Sequence, residues 1–552
     1  MGKPMSARGQ RRRALGVTYE HPLAFWIGAA AVTAGTLMQL PMYFDAGDMD
    51  YHLVGMPFDA TMLTGMVIMI VGIGLTIYGL FPRLSAVSTG AVSRIKVKAL
   101  DDAKLTRTHL GLILVMAAAI TIDVMKPTTL AFVAPGAAAE YGLRSPLHPH
   151  ASGLPIALYP LSGISGTVVG SFLWGWLGDR IGRRASILVA AVMFIATSTC
   201  GAMPAYPINL GMCFLMGLGV GGMLPIIFSL VSETVPARHR GWIIVLIGGD
   251  VAGAYIIISW LASTIAAPER YGWRMLWLIG IPISVILVLL NRWIPESPRF
   301  LIQHGRDDEA RAVMRRYGAQ IVEDEKAEAV AAPEHGHYLQ LFRSPFSGLT
   351  AVLVMLAVGI GMVQFGFQQW IPSNLQKLGY NEVNASKILR DSALIGFPLN
   401  FPIAFLYGFW SSRKTIALMG SLTAAALIGF IVVGSNVADN KALLYVLLIV
   451  PIWGISSLTA VTAAYASEIY PTHIRARGTG LAAAGTKVGG VMILAAVAAA
   501  IAAPSISVTA LLGAVPILAG IVLLAICGVE TRKKGLEAIT AEELARTAVP
   551  AS

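Results

Sequence analysis

The chain has 552 residues, 56% of them hydrophobic and 13% charged, where soluble domains carry roughly a quarter charged residues. A mean hydropathy of +0.69 excludes an ordinary soluble fold for most of the chain. The net charge of +11 falls in short clusters between apolar runs, the pattern of membrane loops, so the expected partner is a lipid bilayer and not nucleic acid.

The chain opens on a basic stretch, MGKPMSARGQRRR. No small-residue cleavage site follows the first apolar run, so residues 1–22 read as a cytoplasmic tail and not as a twin-arginine export signal. Two apolar helices are expected near 23–44 and 61–81, each long enough for a roughly 30 Å hydrocarbon core. A basic segment to residue 107 follows, with Arg94, Lys96 and Lys98, closing a 23–107 region. Six helices then fall near 109–134, 156–178, 185–203, 207–231, 241–266 and 273–294, a bundle over 108–294. Residues 295–347 form a polar linker with helical charge patterning in DDEARAVMRRYG, its histidines read as a solvated face. Six more helices, near 348–372, 391–410, 415–434, 442–466, 478–502 and 506–528, form a bundle over 348–528 before a tail at 529–552. The expected fold is therefore an all-α integral membrane protein with about fourteen crossings. Cys200, Cys213 and Cys527 are far apart in sequence and lack ligand-type spacing.

Loop charge sets the expected orientation. Residues 45–59 hold four Asp and no Lys or Arg, which places them outside. The clusters at 83–107, 180–184, 238–240, 413–414 and 475–477 then lie inside with both termini. A bacterial inner membrane is the expected location.

The chain repeats itself. Ser232-Glu233-Thr234-Val235-Pro236 leads to Arg238 and Arg240, and Ser467-Glu468-Ile469-Tyr470-Pro471 leads to Arg475 and Arg477, an offset of 235 between the glutamates. Pro295-Glu296-Ser297-Pro298-Arg299 and Val529-Glu530-Thr531-Arg532 follow each sixth helix at an offset of 234. Paired repeats of this size mark transporter halves.

Gly175, Asp179, Arg180, Gly182, Arg183 and Arg184 spell G-x-x-x-D-R-x-G-R-R, and here the chain resembles the major facilitator superfamily over residues 108–540. The resemblance implies two six-helix bundles, with two added N-terminal helices, that work by alternating access without a cofactor, a proton being the coupling ion. It implies gating roles for those motif residues and for Glu233, Arg238, Arg240, Glu296, Arg299, Glu468, Arg475 and Arg477. The second-half counterpart of the motif, Gly408 to Lys414, is degenerate, with Ser412 in the place of the aspartate. The PESPRF run and the glutamate motifs look like the sugar porter and metabolite/proton symporter branches. Members are expected to act as monomers on a small solute.

Ionisable groups inside apolar spans are functional candidates by default. Asp123 and Lys126 are three residues apart, on one helix face where they can pair, just before an F-x-A-P run similar to that of aromatic-acid symporters. Cys213 opens a glycine-rich run where relatives commonly have Arg, so Lys126 is expected to supply the cation for an anionic solute while Asp123 carries the proton. Pro127 would bend the helix there. Asp250 is the other proton candidate, or a partner of Lys126, or a structural hydrogen bonder. Gln364 and Gln368, one turn apart, suit hydroxyl or carboxylate recognition, followed by Asn400 and Lys487. The expected activity is proton-coupled uptake of a small organic anion of carboxylate type. A sugar or polyol porter and a membrane solute sensor are the alternatives, and no catalytic or metal-ligand set suggests an enzyme.

Overall fold

The computed structural model describes residues 13–14, 17–18, 21–80, 92–95, 103–249, 251–303, 305–319, 323–329, 338–470, 472–499 and 505–531. Among the described residues, 13 helices are long and apolar enough to cross a membrane. They are α1 (Pro22–Met49), α2 (Ala60–Leu80), α3 (Arg107–Glu140), α5 (Arg183–Ala202), α6 (Tyr206–Thr234), α7 (Trp242–Ser263) and α8 (Met275–Trp293) in the first part. Then come α9 (Ser347–Lys377), α10 (Glu382–Phe409), α11 (Ser412–Asp439), α12 (Lys441–Glu468), α13 (Arg477–Ala499) and α14 (Ile506–Cys527). Helix α4 (Leu158–Ile181), of 24 residues, lies where the remaining crossing is expected, near 156–178.

Side-chain caps place several helix starts. Thr106 and His109 form a capping box at α3, and Asn381 accepts from the Asn384 N–H at 2.8 Å to begin α10, since such side chains satisfy first-turn donors that the helix cannot. Helix α10 thus starts nine residues before the expected 391. Its first turns, with Lys387, Arg390 and Asp391, are too polar for a hydropathy reading, yet they bury Ala385, Ser386, Ile388 and Leu389. Helix α3 likewise continues past its expected end at 134, through Pro127 and Pro135.

Two elements outside the helical layer go beyond the all-helical expectation. The backbone of Val92–Ile95 pairs antiparallel with Glu323–Ala329, joining the segment after α2 to the central linker. A two-residue ladder joins Arg13–Ala14 to Val17–Thr18. The linker also holds the expected charged helix, Asp307–Arg316. It is followed by Tyr317, whose ring meets His109 edge-on at 5.0 Å.

Helices α1 and α2 form a hairpin with a glycine seam. A Cβ on Gly28 would stand 2.5 Å from the Thr76 nitrogen, and one on Gly72 would stand 2.8 Å from the Gly28 oxygen. Only glycine lets the backbones approach so closely, as at small-residue helix contacts in membranes. The side of the bundle that bears the hairpin loop 45–59 is called the acidic face below, and the opposite side, at the α4–α5 turn, the basic face.

Candidate functional site

Where the two bundles meet lies a small, partly open pocket. Its wall is shared by Pro127, Thr128 and Ala131 of α3, Val251 and Tyr255 of α7, Gln364, Phe365, Gln368 and Gln369 of α9, and Ile452 and Ser456 of α12. Every described group on this wall is neutral. Helix α9 presents its three glutamines through a π-helical turn, Val363–Gln368, the wide turn often found at functional sites. Pro372, four residues on, has no N–H to offer the Gln368 carbonyl, which loosens the helix beside the wall. Gln368 donates to the Pro451 carbonyl at 3.3 Å. The Gln369 amide nitrogen and the Tyr255 hydroxyl are buried without a hydrogen-bond partner, a costly arrangement in the absence of a ligand or water.

Asp123 and Lys126, which their spacing allows to pair, do not pair with each other. Lys126 points into the first bundle, where Nζ donates to Ser198 Oγ at 2.7 Å and lies 6.0 Å from the Trp277 ring centre. Gly280 makes the room, because a Cβ there would stand 2.6 Å from Nζ. Cys200 and Cys213 are close enough to act electrostatically on this lysine, so Lys126 does occupy the neighbourhood of Cys213. Both oxygens of Asp123, which is 0% exposed, lack a hydrogen-bond partner. Three residues along a helix bring two side chains onto one face only if their rotamers agree. Here the Ser198 hydroxyl and the Trp277 face hold the lysine elsewhere.

The charge that acts on Asp123 belongs instead to Lys487 of α13. That ammonium crosses the interface, donating to the Ser171 hydroxyl of α4 and to the Gly221 carbonyl of α6 at 2.6 Å. The sequence explains why side chains use this carbonyl, which also accepts from Ser171 Oγ at 2.8 Å: its normal partner four residues on is Pro225, which has no N–H. Lys487 is thus a cation that ties the second bundle to the first within electrostatic reach of the buried Asp123.

Asn400 makes a fully protein-bound crossing. Its amide nitrogen donates to Gly249 O at 3.2 Å and to Phe397 O at 3.1 Å, and its oxygen accepts from Ser457 Oγ at 2.7 Å. It holds α10 to α7 and α12 and does not line the cavity. Asp250 lies outside the described residues.

Two of the four repeated glutamates, Glu296 and Glu530, act as helix caps in addition to any part in the expected charge network. Glu296 Oε1 accepts from the backbone N–H groups of Arg183 at 2.8 Å, Arg184 at 3.4 Å and Ser297 at 3.0 Å, so its charge sits at the N-terminus of α5, where the helix dipole favours it. Gly182 must be glycine. Its φ is +95°, and a Cβ would stand 2.3 Å from Glu296 Oε2. Glu530 repeats the cap on α11, accepting from Ser412 N at 2.9 Å and Ser412 Oγ at 2.7 Å. This equivalence aligns Ser412 with Arg183 and therefore sets Gly408, not Ser412, opposite Asp179. Glu468 accepts from Tyr407 OH at 2.8 Å and Thr531 Oγ1 at 2.7 Å. Among the described residues of this network, Arg183 and Glu233 form an ion pair at 3.7 Å. Arg184 donates to Asn291 Oδ1 at 2.9 Å, and Arg180 and Arg299 are exposed. Gly175, Asp179, Arg238, Arg240 and Arg475 lie on helices whose course is described while their side chains are not, and Arg477 is half-buried.

The profile of the family described as "Sugar (and other) transporter" matches residues 150–542. The chain belongs to this family. It is a major facilitator superfamily transporter and not an enzyme. Among curated proteins it is 27% identical to the niacin transporter NiaP of Acinetobacter baylyi over 407 residues, 72% of this chain and 88% of that one. It is 28% identical to the inner membrane metabolite transport protein YgcS of Escherichia coli, over 67% of this chain and 82% of that one. It is 26% identical to the 4-hydroxybenzoate transporter PcaK of A. baylyi, over 69% and 82%. The xylose transporter XylE from E. coli, in a partially occluded inward-open conformation, superposes with a TM-score of 0.61 at 17% identity, covering 78% of this chain and all of that one. The fold is therefore that of the superfamily.

In this transporter the sequence led to Gln364 and Gln368 on the cavity wall and to Lys487 at the interface. It missed Tyr255, Thr128, Phe365 and Ser456. A lone tyrosine or serine in an apolar helix carries no periodic signal. Only the contacts of α7 and α12 with α9 reveal which way those side chains face.

Burial pushes the Glu296 carboxyl above its usual range, and the N–H donors of Ser297 and Arg183 and the Arg183 charge offset this only in part. A carboxyl raised in the folded state holds extra protons there, so stability falls as pH rises from the usual carboxylate range through the raised value and is level above it. Glu296→Gln keeps an oxygen for the Arg183 N–H and should lose this slope. Melting temperature of purified protein against pH reads it, and an unchanged slope in Glu296→Gln would assign it to other groups.

Proposed function

We propose that the transporter takes up a small aromatic or cyclic organic anion of carboxylate type, driven by the proton gradient through alternating access in a bacterial inner membrane. The observation that carries the solute reading is the cavity wall, where two aromatic rings, Tyr255 and Phe365, stand with three glutamine amides. Amides donate to a carboxylate and the rings pack a flat solute. The relatives named for niacin and for 4-hydroxybenzoate support this class. Lys126 is turned away from the wall, so anion recognition is assigned to the glutamine amides and the Tyr255 hydroxyl. Asp123 is assigned the proton, with Lys487 as the cation that responds to it.

The absence of charge on the described wall favours a second reading, a neutral sugar or polyol, which the family description also admits. Proteoliposome uptake across a panel of nicotinate, 4-hydroxybenzoate and neutral monosaccharides, with and without an imposed proton gradient, separates the two. Gradient-stimulated uptake of the aromatic acids is expected. Uptake confined to monosaccharides would select the second reading, and flux indifferent to the gradient would remove proton coupling.

Gln369→Leu and Gln364→Leu should each raise KM for the transported solute about tenfold, the equivalent of about 1.4 kcal/mol, because each deletes a hydrogen bond to a ligand in a buried site. The maximal rate should change less. Equal KM values in both variants and the parent would remove the glutamines from recognition.

A further inference from the structure

The α1–α2 hairpin lies outside the matched family profile, which begins at residue 150, and its loop is built into the first bundle. Glu140, the last residue of α3, holds Arg274, which precedes α8, through two parallel bonds: Nη2 to Oε1 at 2.7 Å and Nε to Oε2 at 3.0 Å. The hairpin loop then adds donors to the same carboxylate, the backbone N–H of Leu53 at 2.7 Å and of Val54 at 3.3 Å. Tyr43 donates to the Tyr271 carbonyl, and Tyr51 stacks on the Tyr43 ring at 5.0 Å and meets the Tyr271 ring at a tilt, 5.5 Å away. Leu53 is fully buried. On the basic face the same stretch of chain is tied again, by the ladder between Val92–Ile95 and Glu323–Ala329.

We propose that this hairpin is a strap. It binds the acidic-face ends of α3 and α8 into one body with itself, and Glu140 is the positioning residue through which the loop holds them. Helix α9, the counterpart of α3 in the second half, is built differently. It carries the π turn and Pro372 and runs out at Gly379, where a Cβ would meet open space. The acidic-face gate therefore moves on the α9 side while the α3 side stays fixed. This rests on the alternating access proposed above. It goes beyond it by naming which helix end moves and what holds the other.

The test measures spin-label distances by double electron-electron resonance in liposomes, at acid and at alkaline pH and without solute, so its failure is separate from any error about the solute. Labels go on exposed Met49→Cys in the hairpin, Glu269→Cys before α8 and Lys377→Cys at the end of α9, in full-length protein with the three native cysteines replaced by alanine. The expected Met49–Glu269 distribution is narrow and the same at both pH values, and the Glu269–Lys377 distribution is broader or two-peaked. Leu53→Pro removes one donor to Glu140 without altering any charge and should broaden the Met49–Glu269 distribution. Glu140→Gln keeps an acceptor and should broaden it less, and it carries the same test if the proline variant does not fold. A Met49–Glu269 distribution as broad as Glu269–Lys377, a Glu269–Lys377 distribution equally narrow, or no broadening in the folded variants would overturn the strap.

Discussion

Asp123→Asn should abolish solute accumulation against a gradient and leave solute exchange across the membrane in place. A pH difference of two units stores about 2.7 kcal/mol per proton, enough for a one-proton symporter to hold a solute gradient of roughly 100-fold. Without a titrating group at the site that energy has no route to the solute, and the variant should equilibrate to a ratio near one. The placement of Asp123 supports this role. Its oxygens lack donors and are fully buried, and a bare carboxylate in a low-dielectric interior is costly unless it carries a proton or meets a cation. Lys487 is the cation whose field reaches it, and it is held across the bundle interface by Ser171 and the Gly221 carbonyl. A proton leaving Asp123 adds an anion to the first bundle, to which Ser171 and Gly221 already hold Lys487, and so strengthens the attraction across the interface; protonation and the interface contact become one equilibrium. Lys487→Met should therefore lose accumulation too. Paired proteoliposome assays, one of gradient-driven uptake and one of counterflow, read both variants. Asp123→Asn that still accumulates solute would move the proton to another group, with Asp250 first to be examined.

The fold was legible because it is written in large, redundant signals. Apolar runs of bilayer length, basic loops and two repeated glutamate motifs each span many residues, and the loss of any one leaves the others standing. The glutamates were legible as positions but not as contacts. Glu296 and Glu530 were found from a shared offset, yet the sequence places arginines nearby and says nothing of the backbone N–H groups they cap. The site was half legible for a similar reason. Gln364 and Gln368 stand on the wall as helical spacing suggested, whereas the same spacing left open whether Asp123 and Lys126 pair, and they do not. Helix spacing fixes where a side chain starts. Where it ends depends on what other helices offer, here Ser198, Trp277 and the space over Gly280. Prolines gave a signal that could have been used further. Pro225 marks the carbonyl that receives Lys487, which can be read in sequence once the lysine's target is sought.

The largest stability effect is expected from Arg274→Leu. The Arg274 and Glu140 side chains are 1% and 2% exposed, and the guanidinium also donates to Met203 O at 2.8 Å and lies 4.5 Å from the Trp273 ring centre. Removing one partner of such a pair leaves a buried charge uncompensated, a loss of about 3–5 kcal/mol. The carboxylate keeps donors from Trp273 Nε1 at 3.0 Å and from the hairpin loop, so Arg274→Leu should fall toward the lower end of that range. The double variant Glu140→Leu with Arg274→Leu removes both charges and should recover part of the loss. Recovery should stay incomplete, because the Leu53 and Val54 N–H groups then lose their acceptor. Unfolding of purified protein by denaturant, with parent, single and double variants compared, measures each step. A double variant less stable than the single by the full cost of Glu140→Leu alone would mean that the two charges act independently, and the bidentate geometry would then contribute nothing beyond its parts.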